Sequence, residues 1–258
     1  MAQQLNLNSD LGESFGAWEM GGDEAMLRIV NSANVACGFH AGDPLVMFNT
    51  VALAKKNGVS IGAHPGYPDL QGFGRRRMDI PLGELEAMLI YQIGALEACA
   101  RAHGVRVSHV KPHGALSNIA CAERKVADAV ARAVHRLDPS LILLAPAASQ
   151  LIAAGREKGL PVVEEIFADR AYLDDGNLVP RSLLGAMVHG AEASLQHVMR
   201  MVEESALISI NGKRIPVNPQ SICVHGDNAD AVATAQAIRD GLQKAGYRLA
   251  TIPELTGA

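Results

Sequence analysis

Histidine, carboxylate and basic side chains fall into six short clusters, each placed directly behind an apolar run. They are Asn8-Ser9-Asp10-Leu11-Gly12-Glu13, Cys37-Gly38-Phe39-His40-Ala41-Gly42-Asp43, Ala63-His64-Pro65-Gly66-Tyr67-Pro68-Asp69, Lys111-Pro112-His113-Gly114, Phe167-Ala168-Asp169-Arg170 and Val224-His225-Gly226-Asp227-Asn228. Histidine carries protons near neutral pH, and a carboxylate beside it orients the ring or acts as the base. Lys111 and Arg170 supply fixed positive charge, suited to clamping an oxyanion or a small anionic substrate. Glycines within the clusters let backbone approach a ligand closely. Together these residues suggest hydrolytic acid–base chemistry on a small anion. Asp10, His40 and His64 also offer one oxygen and two imidazoles for a catalytic metal, although their spacing matches no compact zinc motif. The Lys111 and Arg170 charges are an alternative that needs no metal.

Several of these residues have simpler readings. Asp43 precedes Pro44 and is equally suited to capping a helix. His109 lies inside a predicted strand and is expected to be a packed, hydrogen-bonded histidine. Cys37 and Cys223 are expected to be small apolar fillers. Arg75-Arg76-Arg77 follows Gly72-Phe73-Gly74 in a long loop, where one arginine is placed to close over an anion.

The elements that must position these clusters are readable as alternating strands and helices. Strands are predicted at Leu5–Asn8, Asn34–Cys37, Val59–Ala63, Val107–Lys111, Leu141–Ala145, Val162–Phe167 and Ser221–Val224, with Arg248–Ile252 as an eighth. Between them, Leu82, Leu85, Leu89, Ile93 and Leu96 recur at helical spacing, as do Val126, Val130, Ala133 and Leu137. Asn211-Gly212 between two β-rich runs marks a hairpin excursion near residues 207–217. Seven to eight βα units without a linker predict one α/β domain over residues 1–258, a distorted (β/α) barrel, with a doubly wound open sheet as the rival. In such a barrel the C-terminal strand ends converge on one face, which gathers the six clusters.

Composition agrees with this architecture. Apolar residues make up 48% of the chain and aromatics only 4%, so the core must rest on Ala, Val, Leu and Ile, as parallel strands under helices do. The formal charge is 23 − 27 = −4 with no basic block, which argues against a nucleic-acid partner. Four scattered cysteines suit a reducing compartment rather than a disulfide framework. No signal-peptide pattern and no apolar run of about 20 residues is present, so a cytoplasmic, non-membrane protein is expected. Neither GxxxxGK[ST] nor a strand-borne GxGxxG occurs.

NSDLGESFG (8–16), ANVACGFHAGD (33–43), GAHPGYPDLQGFGRR (62–76), KPHGALSN (111–118), FADRAY (167–172), LVPRS (178–182) and CVHGDN (223–228) resemble the LamB/YcsF family, the 5-oxoprolinase A subunits. The resemblance spans essentially the whole chain. It implies a distorted βα-barrel related to the glycoside hydrolase/deacetylase superfamily. It also implies ATP-dependent opening of the 5-oxoproline lactam to L-glutamate, with ATP and Mg2+ as co-substrate and subunits B and C as partners. Under that reading Asp10 or Glu13 activates water, His64 or His113 transfers protons, and Lys111 with Arg170 holds the substrate carboxylate or a phosphorylated oxygen. His40, Asp43, Arg75, Asp169, His225 and Asp227 complete the expected substrate-binding set. Asp10, His40 and His64 remain the expected metal set of the alternative, a stand-alone metal-dependent amide or carbohydrate deacetylase. A third reading is a non-catalytic barrel that presents substrate within a complex. The chain departs from the family's KPHGALYN at Ser117, which removes a ring and a hydroxyl from a site-facing turn and bears on substrate fit.

Overall fold

The computed structural model describes residues 3–225 and 229–257, and Asp227 lies outside them. The first half of the chain runs β1 (Gln4–Leu11), α1 (Asp23–Met26), β2 (Ser32–Ala36), α2 (Pro44–Lys56), β3 (Ser60–His64), α3 (Leu82–Ala102), β4 (Val107–Val110), α4 (Gly114–Ala122) and α5 (Arg124–Leu137). The second half continues with β5 (Ile142–Pro146), α6 (Gln150–Lys158), β6 (Val162–Phe167), α7 (Ala191–Glu204), β7 (Ala206–Ile208), β8 (Arg214–Pro216), β9 (Ser221–Cys223), α8 (Ala229–Lys244), β10 (Arg248–Leu249) and α9 (Ile252–Thr256).

Strands β1 to β6 and β9 pair in parallel, and β9 pairs back onto β1, so seven strands close a ring. That closure excludes the open sheet. The eighth run, β10, pairs with β1 only at Gln4 and Leu5, whereas β9 occupies Asn6 to Asn8. It extends the sheet without being a stave of the ring. Strands β7 and β8 form a separate antiparallel pair. Among the described residues no helix is long and apolar enough to cross a membrane.

Strand β1 runs beyond the predicted Asn8, because Asn8 to Leu11 pair with Ser32 to Val35 of β2. Side chains alternate along it. Leu5, Leu7 and Leu11 join the apolar layer under the helices, together with Leu85, Leu89, Ile93 and Leu96 of α3. Asn6, Asn8 and Asp10 point into the ring, where a polar network replaces the usual apolar filling. Asn6 Nδ2 donates to Ser32 Oγ at 2.8 Å, Asn8 Nδ2 to Glu165 Oε1 at 2.9 Å, and Asn34 Nδ2 to Asp10 Oδ1 at 2.9 Å. His109, fully buried, reaches Asn34 Oδ1 at 3.1 Å. Its ring occupies the space opposite Gly62, where a Cβ would sit 2.1 Å from His109 Nε2. A buried polar group without partners costs about 1–3 kcal/mol, and most members of this interior satisfy one another, although Glu165 Oε2 is buried without a hydrogen-bond partner among the described residues.

The opposite end of the ring is plugged by the chain entering α9. Asn6 Nδ2 donates to the Ala250 carbonyl at 2.8 Å, and the Ile252 amide donates to Ser32 Oγ at 3.2 Å. Ile252 packs on Ile142, Leu144 and Val163, the apolar part of the interior. The barrel is thus sealed at one end and open at the other, where the strand-end clusters stand.

Candidate active site

A cavity of about 470 Å³ opens at the C-terminal strand ends, and Asp10, Glu13, His64, Lys111, His113, Arg75, Arg170 and His225 all line it. Its floor is the buried Lys111, whose Nζ donates to Asp10 Oδ1 at 3.0 Å, Glu165 Oε1 at 2.9 Å and Cys223 Sγ at 3.1 Å. Burial works against the ammonium, yet Asp10, Cys223 and Glu165 hold its pKa well above the ordinary lysine value. Burial likewise pushes Asp10 up, but His64 and Lys111 outweigh it and leave this carboxyl well below the usual range. Glu165 is raised by its burial, with Lys111 only partly offsetting it. The floor therefore presents one firmly ionised carboxylate, Asp10, to the cavity.

Histidines form the adjoining wall. His64 ends β3, donates through Nδ1 to the Lys111 carbonyl at 2.6 Å, and sets Nε2 3.3 Å from Asp10 Oδ2. His113, the residue before α4, donates through Nε2 to the Phe73 carbonyl at 2.8 Å. Burial holds His113 and His40 well below the ordinary histidine value. His225 pairs with Asp169 at 2.8 Å. Burial opposes the charge on both partners, but their mutual attraction raises His225 and lowers Asp169.

Cationic side chains complete the lining. Arg170 is 5% exposed and donates through one terminal nitrogen to the Val179 carbonyl at 2.7 Å, while its Nε is buried without a hydrogen-bond partner among the described residues. Burial and the nearby Arg181 press its pKa down to about 10. Arg181 also lines the cavity. Of the three consecutive arginines only Arg75 does so, its guanidinium 4.9 Å above the Phe73 ring. Arg76 is paired with Asp69, and Arg77 with Asp79 and Glu123.

Three expected substrate contacts do not line this cavity, Asp169 among them, paired with His225. Asp43 caps α2, accepting from the Leu45 and Val46 amides, and its other oxygen accepts from the Gly16 amide. It organises the loop after β1 and does not line the cavity. His40 is 1% exposed behind the wall, stacked on His113 at 3.6 Å with Nε2 3.1 Å from Glu13 Oε1. Of the expected metal set, His64 Nε2 stands 3.3 Å from Asp10 Oδ2, while His40 turns its Nε2 to Glu13. Ser117 lies on α4 and lines the cavity. Sequence reasoning missed Glu165 and the asparagines of the interior.

The Asp169–His225 pair gives a direct check. Asp169→Asn is expected to lower the His225 midpoint toward the ordinary histidine value, read by histidine NMR titration. An unchanged midpoint would remove Asp169 as its cause. The sign follows from the two shifts. The His225 contribution to stability is complete below the ordinary histidine pKa and is lost as pH rises through the folded value. The Asp169 contribution is complete above the ordinary carboxylate pKa and is lost as pH falls through its lowered one.

A closed parallel βα-ring with acid–base residues at its open end is a (β/α) barrel. The same fold occurs in the Bc1960 peptidoglycan N-acetylglucosamine deacetylase, with TM-score 0.52 and 14% identity over 99% of this chain and 88% of that one. Within this class the chain belongs to the LamB/YcsF family, whose profile matches residues 5–257. It is similar to the lactam utilization protein of Thermus thermophilus, with TM-score 0.91 and 42% identity over 97% of this chain and all of that one. The A subunit of 5-oxoprolinase from Azoarcus sp. strain BH72 is 54% identical over 98% of both chains. That of Bacillus subtilis strain 168 is 49% identical over 97% of this chain and 98% of its own.

Proposed function

We propose that this chain is the A component of a cytoplasmic 5-oxoprolinase, opening the 5-oxoproline lactam to L-glutamate at the expense of ATP, together with subunits B and C. The observation that carries this reading is the ionised Asp10 on the Lys111 floor, in a cavity sized for a small anion that Arg75, Arg170 and Arg181 also line. The lactam is an unstrained amide, so its opening needs activation. Transfer of a phosphoryl group from Mg2+-bound ATP to the amide oxygen makes the ring carbon electrophilic. Asp10 then takes a proton from water as the water oxygen bonds to that carbon. The C–N bond breaks, and the proton that Asp10 took from water passes to the departing nitrogen. The product of that step is an acyl phosphate, and a second water hydrolyses it to phosphate and the second carboxylate of glutamate. Arg170, with Arg75 and Arg181, holds the substrate carboxylate, and Lys111 fixes Asp10 and faces the reacting oxygen. The chain carries no glycine-rich phosphate loop in its sequence, which supports a nucleotide site supplied largely by the partners.

The test is glutamate release from 5-oxoproline by this chain mixed with candidate B and C subunits, with and without ATP. Release only in the full mixture with ATP is expected. Folded, assembled subunits that release none would overturn the assignment, and chelator-sensitive deacetylation by the chain alone would favour the deacetylase reading instead.

A further inference from the structure

Four side chains from four separate segments converge beside the catalytic carboxylate: Glu13 after β1, His40 after β2, His64 at the end of β3 and His113 after β4. One donor atom from each lies within 4.8 Å of the others. The hydrogen positions on two of the rings are fixed by their surroundings. His64 Nδ1 faces the Lys111 carbonyl at 2.6 Å and His113 Nε2 faces the Phe73 carbonyl at 2.8 Å. A carbonyl only accepts, so both of these nitrogens carry hydrogen. In neutral rings the remaining nitrogens, His64 Nε2 and His113 Nδ1, present lone pairs; they face each other at 3.0 Å, and His64 Nε2 also faces the Asp10 carboxylate at 3.3 Å. Two lone pairs at that distance repel unless something positive lies between them.

A single proton would bridge two atoms, but this cluster offers more donors than two. Glu13 Oε1 stands 3.6 Å from His113 Nδ1 and adds negative charge. Each imidazole has its distal N–H anchored on a backbone carbonyl, and the carboxylate is itself steadied by His40 Nε2 at 3.1 Å. Outer partners of this kind orient metal ligands and raise their basicity. His40 is a holder rather than a ligand: its ring lies parallel to His113, 4° apart in tilt, so the lone pairs of the two rings run side by side instead of meeting at a point.

We propose that Glu13, His64 and His113 form a binding site for one divalent transition-metal ion, with His40 positioning the Glu13 carboxylate. Two imidazoles and one carboxylate suit Zn2+, Co2+ or Mn2+ and leave coordination positions open toward the cavity. Neither lactam opening nor the names of the relatives calls for such an ion.

The test uses the full chain, stripped with a chelator and titrated with Co2+. Visible ligand-field bands are expected to saturate near one equivalent and to be displaced by Zn2+. His40→Gln should weaken Co2+ binding about 10–100-fold, and Glu13→Gln and His113→Ala should weaken it further. Circular dichroism confirms that each variant folds, and Glu13→Gln, on a loop, decides if His113→Ala does not. Folded wild-type chain showing no saturable band up to about 1 mM Co2+ would overturn the site, as would unchanged affinity in the Glu13 variant. Occupancy is read without lactam, ATP or partners, so failure of the 5-oxoprolinase assay leaves this result standing, and the converse also holds.

Discussion

Asp10→Asn is expected to reduce ATP-dependent glutamate release by the assembled enzyme by about 10²–10⁴-fold, the range that a positioned general base contributes. The amide keeps the size of the carboxylate and still accepts from Lys111 Nζ, which lies 3.0 Å from Oδ1. It cannot take a proton from water. Glu165 remains as the counter-charge for the ammonium, at 2.9 Å, so the floor stays neutralised and the fold should survive. The loss should appear in kcat, with substrate affinity nearly unchanged, because the proposed carboxylate contacts are Arg170, Arg75 and Arg181 rather than Asp10. Turnover close to wild type would remove Asp10 from the chemistry, and a parallel fall in the thermal midpoint would recast it as a structural residue.

Lys111→Met should act on the fold itself. The substitution leaves Asp10 and Glu165 facing each other with no cation between them, and Glu165 is fully buried. Removing one partner of a buried ion pair costs about 3–5 kcal/mol, mainly through the uncompensated charge left behind. The pH dependence gives the signature. The lowered Asp10 pKa means that its contribution in the wild type is present above the ordinary carboxylate range and is lost as pH falls through the folded value. In the variant, acid instead relieves the repulsion by protonating one carboxylate. The stability gap between the two proteins, measured by urea unfolding, should therefore narrow from about pH 7.5 to about pH 4.5. A gap that is small at neutral pH, or constant across the range, would show that Lys111 does not neutralise this floor.

The strand-end clusters were legible because polar residues behind apolar runs have one convergent destination in a βα-barrel. Which member of a cluster reaches the cavity was not. In Val162–Phe167 two adjacent glutamates look alike, yet the pleat sends Glu164 outward to Arg156 and Glu165 inward to Lys111. The same ambiguity separates Arg75 from Arg76 and Arg77, whose carboxylate partners come from several parts of the chain. Asn6, Asn8 and Asp10 do show the period of two, but ending the first strand at Asn8 hid their shared direction. Asp43 illustrates the reverse case. Its capping role is local and readable from Asp-Pro, and it fills one oxygen, while the other accepts from the distant Gly16 amide, which no local pattern announces.

The plug and the ring closure also set an order of events as the chain leaves the ribosome. Strand β1 is made first, but two of its neighbours, β9 and β10, are made more than two hundred residues later. Until then its inward asparagines lack Ser221 and the Ala250 carbonyl, and its edge is unpaired. A nascent chain holding only β1 to β6 thus has an open sheet edge and an unsatisfied polar interior, the state that chaperones protect from edge-to-edge association. Completion of this barrel is consequently a late, post-emergence step, and slow release of the C-terminal third would lengthen the nascent chain's exposure to aggregation.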